Sequence, residues 1–270
     1  MDLSGFRDPD LGKGLIRTID ALATEDINLM EVCGTHTVSI ARAGLRSLLP
    51  DRVSLTSGPG CPVCVTANKD IDTAIALSRI DDVIVTTFGD MMKVPGSTTS
   101  LSKEKGAGAD IRIVYSPLDA LALARQMPDK HVAFVGVGFE TTTPLLAAAI
   151  KRAAAEGLDN FSVLAINKMV PPALRALVND PEVKIDALLL PGHVSTVIGL
   201  EPYRFLADEF DIPGVIAGFE PIDILQGIAM LLKQRRDGRA EIEIAYSRGV
   251  MREGNVVAQQ TTEEVFEDAD

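Results

Sequence analysis

Asn28-Leu29-Met30-Glu31-Val32-Cys33-Gly34-Thr35-His36-Thr37 is the stretch on which the fold turns. Ile27 to Val32 reads as a short buried strand, and the chain then passes at once into a compact loop bearing a thiol, a glycine and an imidazole between two threonines. Working outward, the same unit returns about eight times: a short β-branched run, a loop with Gly, Pro, Thr or Asp, then an amphipathic or Ala-rich stretch of helical length. Further strands are expected at Val53 to Thr56, Val83 to Phe88, Ile111 to Tyr115, Val132 to Val137, Phe161 to Ile166, Ala187 to Leu190 and Gly214 to Ala217. Helices are expected at Leu11 to Thr24, Asp70 to Arg79, Leu118 to Gln126, Pro144 to Glu156 and Ile222 to Arg235, with Pro117 and Pro221 where helix N-termini tolerate proline. Ala240 to Tyr246 reads as an edge strand, and Asn255 to Asp268 as a last helix running into an acidic tail.

Successive strands start somewhat under about 30 residues apart, which suits βαβ units with right-handed crossovers. Two α/β architectures fit: a single βα barrel, or two open sheets of four strands dividing near Pro128 and Asp129. Both place chemistry at the carboxyl ends of the strands.

Composition agrees with an α/β core. Of 270 residues, 46% are apolar and only 4% aromatic, with no Trp, so Val, Ile, Leu and Ala must fill the interior between helices. The net charge of −12, with scattered Lys and Arg, argues against nucleic acid as a partner. No apolar run approaches the roughly 20 residues that span a bilayer, and the N-terminus MDLSGFRDPD has neither a basic nor an apolar leader region. No membrane role and a cytoplasmic location are expected. Three cysteines make neither a disulfide framework nor a structural zinc quartet, so reactive or metal-binding thiols are the better reading.

The unusual residues fall at strand ends. Beyond CGTHT at Cys33 to Thr37, these are Gly58-Pro59-Gly60-Cys61-Pro62-Val63-Cys64, Thr87-Phe88-Gly89-Asp90 with Val94-Pro95-Gly96, Gly138-Phe139-Glu140-Thr141-Thr142, Pro191-Gly192-His193-Val194-Ser195 and Gly218-Phe219-Glu220-Pro221. Cys33, between a strand and a helix start, meets backbone N–H groups that favour thiolate, the nucleophilic and metal-binding form. His36 is a second ligand, a base, or a packed cap residue. Cys61 and Cys64 have the spacing of a short disulfide or a shared metal ion, and the Gly-Pro-Gly turn before them suits reversible oxidation. A Cys₃His zinc site made with Cys33 and His36 is the bland alternative. Glu140 and His193 follow glycines, where backbone can approach a ligand. Asp90 either caps a helix or faces the crevice, Glu220 reads as a helix start, and His131 as structural. No nucleotide-binding loop is present.

In combination and order, CGTHT, GPGCPVC, TFGDMMKVPG, GFETT, PGHVS and GFEP resemble the HypD family of nickel–iron hydrogenase maturation proteins, over roughly Met30 to Gln260. The resemblance implies two similar open, Rossmann-like domains with parallel sheets facing a central cleft: residues 1–127 carrying CGTHT and CPVC, residues 128–250 carrying GFETT and PGHVS, and a C-terminal helix and acidic tail over 251–270. It implies a metallocofactor assembly scaffold with redox-active cysteines rather than a conventional turnover enzyme. With the partner HypC, it would hold iron as an Fe(CN)2CO assembly intermediate, with HypE delivering cyanide. Cys33 would be the essential thiol and iron ligand, and Cys61 and Cys64 the redox pair. His36, His193 and Glu140 would serve the chemistry, while Thr35, Asp90, Thr141 and Thr142 would line the site. Family members continue into a cysteine-rich segment carrying a 4Fe-4S cluster, which cannot be built from the cysteines of this sequence. A thiol- or zinc-dependent enzyme acting on a small metabolite, with Cys33 as nucleophile, is the alternative.

Overall fold

The protein is described by a computed structural model over residues 8–269. Residues 1–7, on which most of the reading of the N-terminus falls, and Asp270 lie outside the described residues. The strands are β1 (Ile27–Glu31), β2 (Val53–Ser57), β3 (Val83–Thr87), β4 (Ile111–Ile113), β5 (His131–Gly136), β6 (Phe161–Ala165), β7 (Ala187–Pro191), β8 (Gly214–Ala217) and β9 (Ile242–Ile244). The helices are α1 (Pro9–Leu22), α2 (Gly34–Arg42), α3 (Asn68–Leu77), α4 (Leu101–Gly106), α5 (Pro117–Gln126), α6 (Thr143–Ala155), α7 (Val170–Val178), α8 (Gly192–Ile198), α9 (Arg204–Phe210), α10 (Pro221–Arg236) and α11 (Val256–Glu263). All the expected strands form, and β9 lies at a sheet edge as expected.

The strands make two parallel sheets, one in the order β2-β1-β7-β8-β9 and one in the order β4-β3-β5-β6. This is the two-sheet α/β fold, not the single barrel. Renumbered within its own sheet, the first order is 2-1-3-4-5 and the second 2-1-3-4, the doubly wound pattern in which the chain starts in the middle and reverses direction. The division of the chain differs from the expected cut after residue 127. Unit 1 combines residues 1–61 with 170–256, and unit 2 takes 62–169 with 257–270. The reason is strand pairing: β7 adds beside β1, with Leu29 opposite Ala187 and Glu31 opposite Leu189, so segments far apart in the chain are needed to build one sheet. β5, expected to open the second domain, instead pairs with β3.

Each unit follows from its side-chain periodicity. In unit 2, alternate residues of the β5 strand and its extension separate cleanly: Val132 and Phe134 pack with Ala120, Ala124 and Leu146, while Val135 and Val137 pack with Ile71, Ile75, Met91 and Leu101. A strand covered on both faces must be apolar at every position, which is why β5 reads as a continuous run. In unit 1, β7 and β8 are buried throughout. Leu29, Leu189 and Val215 meet Ile19 and Leu22 of α1 and Ile224, Leu225 and Ile228 of α10. Asp8 caps α1 by accepting from the backbone of Asp10 and Leu11, and Ser116 caps α5, each just before a proline in the first turn.

Candidate functional site

In a doubly wound sheet, the crevice opens where strand order reverses, at the carboxyl ends of the two middle strands. In unit 1 these are β1 and β7, followed by Cys33 and by Gly192-His193; in unit 2 they are β3 and β5, followed by Gly89-Asp90 and Gly138-Phe139-Glu140. The motifs therefore sit where the topology leaves room for a ligand.

Cys33 is the N-cap of α2, with extended backbone (φ −124°, ψ 130°). Val32 N still bonds Leu189 O, so the strand runs on to the helix start without a loop. The thiol is half-buried and Thr35 is exposed. The Gly-Pro-Gly turn is laced onto this strand end: Gly58 N donates to Glu31 O at 2.9 Å, Gly60 N to Gly58 O at 2.8 Å, and Gly34 N to Gly60 O at 3.3 Å. A β-carbon on Gly60 would lie 2.3 Å from Gly34 N and 2.8 Å from Cys33 Cα, so only glycine lets the backbones touch. With consecutive Cα atoms about 3.8 Å apart, Cys61 Cα lies within about 8 Å of Cys33 Cα. Cys61 is half-buried and Cys64, in the turn that follows, is exposed.

The CGTHT, PGHVS and GFEP motifs meet in an aromatic stack. The Phe219 ring lies 4.5 Å from that of His36 and 4.0 Å from that of His193. His36 is fully buried, and its Nε2 pairs with Gly218 O at 2.9 Å. Because a carbonyl only accepts, Nε2 carries the proton and donates. Burial lowers the His36 pKa to about 4, the Gly218 carbonyl offsetting part of the shift. A neutral ring enclosed in this way holds Phe219 in place, and its Nε2 is committed to backbone. His193 is exposed on its own helix start, with its pKa lowered by partial desolvation.

Residues that the sequence did not single out support this stack. Arg248 donates twice to Asp223, at 2.6 and 2.5 Å, and lies over the Tyr246 ring. Asp223 is 3% exposed and also accepts from Glu220 N, completing a capping box with Glu220 at the start of α10. A β-carbon on Gly218 would lie 2.3 Å from Asp223 Oδ2, and one on Gly192 2.5 Å from Ala217 O. The only sequence signal for Asp223 was its place three residues after Glu220; Arg248 and Tyr246 gave none.

In unit 2, the GFETT loop is tied to the end of β6. Thr142 donates to Phe139 O at 2.9 Å and accepts from Asn167 Nδ2 at 3.0 Å, and Lys168 N bonds Gly138 O. Lys168 Nζ lies 3.5 Å from Asp70. Glu140 is buried, Thr141 exposed and Thr142 half-buried. Asp90 is exposed in the short 3₁₀ turn Gly89–Lys93. His131 pairs with Ser162 Oγ at 2.8 Å, a structural bond between neighbouring strands. Among the described residues, no three His, Cys, Asp or Glu side chains form a group that could hold a metal ion.

A family model named HypD (Hydrogenase formation hypA family) matches residues 10–270. The chain belongs to the HypD family. Among its HypD relatives, the hydrogenase maturation factor HypD of Rhodobacter capsulatus is 49% identical over 98% of this chain and 72% of its own length. That of Rhizobium leguminosarum bv. viciae is 49% identical over 97% of the chain and 70% of its length. The Escherichia coli (strain K12) protein is 47% identical over 90% of the chain and 65% of its length. As a HypD-family protein, the chain is a hydrogenase maturation factor. Its described residues include no helix long and apolar enough to cross a membrane.

Proposed function

We propose that the protein is the scaffold on which the Fe(CN)2CO group of nickel–iron hydrogenase is assembled in the cytoplasm, held jointly with HypC, with HypE supplying cyanide. The observation that carries this reading is Cys33: a half-buried cysteine at the N-cap position of α2, its thiol making no capping bond, at the switch point of its sheet and with the Cys61 turn against its backbone. Iron is the cargo here. A soft thiolate suits low-valent iron already carrying strong-field diatomic ligands, and one thiolate from this chain with a second from HypC requires no closed set of protein ligands. Cys61 and Cys64 are the redox pair, while His193 orients the iron group or incoming cyanide.

Anaerobic co-purification with HypC, followed by infrared spectroscopy where metal-bound cyanide and carbon monoxide absorb, tests the reading. The expected result is a set of bands in the complex that Cys33→Ala abolishes while HypC still binds. Bands that persist in Cys33→Ala would remove Cys33 as the iron ligand.

A further inference from the structure

Glu31, the last residue of β1, is 1% exposed, and its side chain has no solvent contact. One carboxylate oxygen, Oε1, accepts from Arg46 Nη2 at 3.0 Å and from Ser57 Oγ at 2.9 Å. The other, Oε2, is buried with no hydrogen-bond partner. A carboxylate taken from water with half its bonding capacity unused costs stability, so its placement needs another reason.

That reason lies in what it joins. Backbone is extended through Val32 and Cys33, so Glu31 and Cys33 project from the same face of the sheet, two residues apart. The Glu31 carbonyl accepts Gly58 N, and its carboxylate accepts Ser57 Oγ, so both ends of the residue grip the segment leading to Cys61. Thr37 of the CGTHT motif donates to the same Ser57 hydroxyl at 3.5 Å. Arg46 holds the carboxylate from the other side and also donates to Leu55 O on β2.

We propose that Glu31 is the positioning residue of the thiol site: through Ser57 it holds the Cys61 turn against Cys33 at a set separation. This deepens the proposed function, since it matters only if these are the working thiols.

The test measures that separation without iron, HypC or maturation. In a Cys64→Ser background only Cys33 and Cys61 remain. Their bridging by dibromobimane is followed by mass spectrometry, with thermal melting recorded alongside. Glu31→Ala and Ser57→Ala should slow bridging on the order of tenfold or more at little change in melting, as expected when reacting groups shift by about 1 Å. Glu31→Gln, which keeps the Oε1 acceptor and the shape, should bridge within about twofold of the parent. Three results would each overturn the proposal: no bridging in the parent, parental rates in Ser57→Ala, or a Gln variant as slow as the Ala variant. Because Ser57 is exposed, its variant keeps the test informative even if Glu31→Ala does not fold. Expected bridging with infrared bands insensitive to Cys33 would mean that the scaffold reading alone fails.

Discussion

An imidazole sealed from water accepts a proton only by losing its packing, and His36 carries the consequence for pH. Its folded-state pKa of about 4 lies below the ordinary 6.5, so the unfolded chain binds the proton first. Stability from this group is therefore complete above pH 6.5 and is lost as pH falls toward 4, by up to about 3 kcal/mol. In denaturant unfolding across that range the parent should lose stability relative to His36→Gln as pH falls, by up to about 3 kcal/mol, and parallel curves would refute the assignment. Gly60 offers a second test at this scale. Gly60→Ala must force the Cys33 and Cys61 backbones apart, an overpacking that costs about 1–3 kcal/mol and should lower the denaturant midpoint. The sequence marked both positions by motif. It could not tell a packed His36 from a ligand, because the distinction depends on Phe219 and Gly218, which arrive from β8 and its loop.

At the scale of elements, α10 begins where Glu220 and Pro221 indicated, but its anchorage depends on Arg248, beyond β9. Arg248→Ala leaves the Asp223 carboxylate buried without its cation, a change worth about 3 kcal/mol. It should also release the loop that carries Phe219. Equilibrium unfolding gives the first effect, and faster hydrogen exchange at the backbone of Gly218 and Phe219 gives the second. The expected helices with clear apolar periodicity or proline starts all formed, within a few residues. The short helices α4, α7, α8 and α9 belong to the repeating strand–loop–helix pattern but were not placed individually: α8 and α9 have only seven residues each and α4 six, too few turns for periodicity to stand out. α8 has a further reason, since its first turn is the PGHVS motif itself, which reads as loop from its glycine and proline.

At the scale of the whole molecule, unit 2 is carried largely between the two segments of unit 1. A fragment ending at Met127 would retain β1 and β2 but lack β7, β8 and β9, leaving a two-stranded remnant of a five-stranded sheet. Such remnants are not stable alone, so this fragment should show no cooperative transition by far-ultraviolet circular dichroism. A sharp transition there would contradict the sheet order. Phe134→Ala, by contrast, removes a fully buried ring from unit 2 and should cost about 3–5 kcal/mol, read from denaturant unfolding.

The sequence by itself determined the α/β class, the strands, the longer helices and the placing of thiol and imidazole motifs at strand ends, because these depend on periodicities of two and 3.6 residues and on turn chemistry within a few positions. Tertiary structure decided which strand lies beside which. Nothing local in Leu29 or Ala187 records that they face each other across a shared ladder, so the natural guess of two contiguous halves failed. The same long-range pairing brings Phe219 between two histidines, while the β1–β2 ladder sets Glu31 opposite Ser57 beside the cysteine turn. Hydrogen bonds and ring contacts of that kind exist only once distant segments have been folded together.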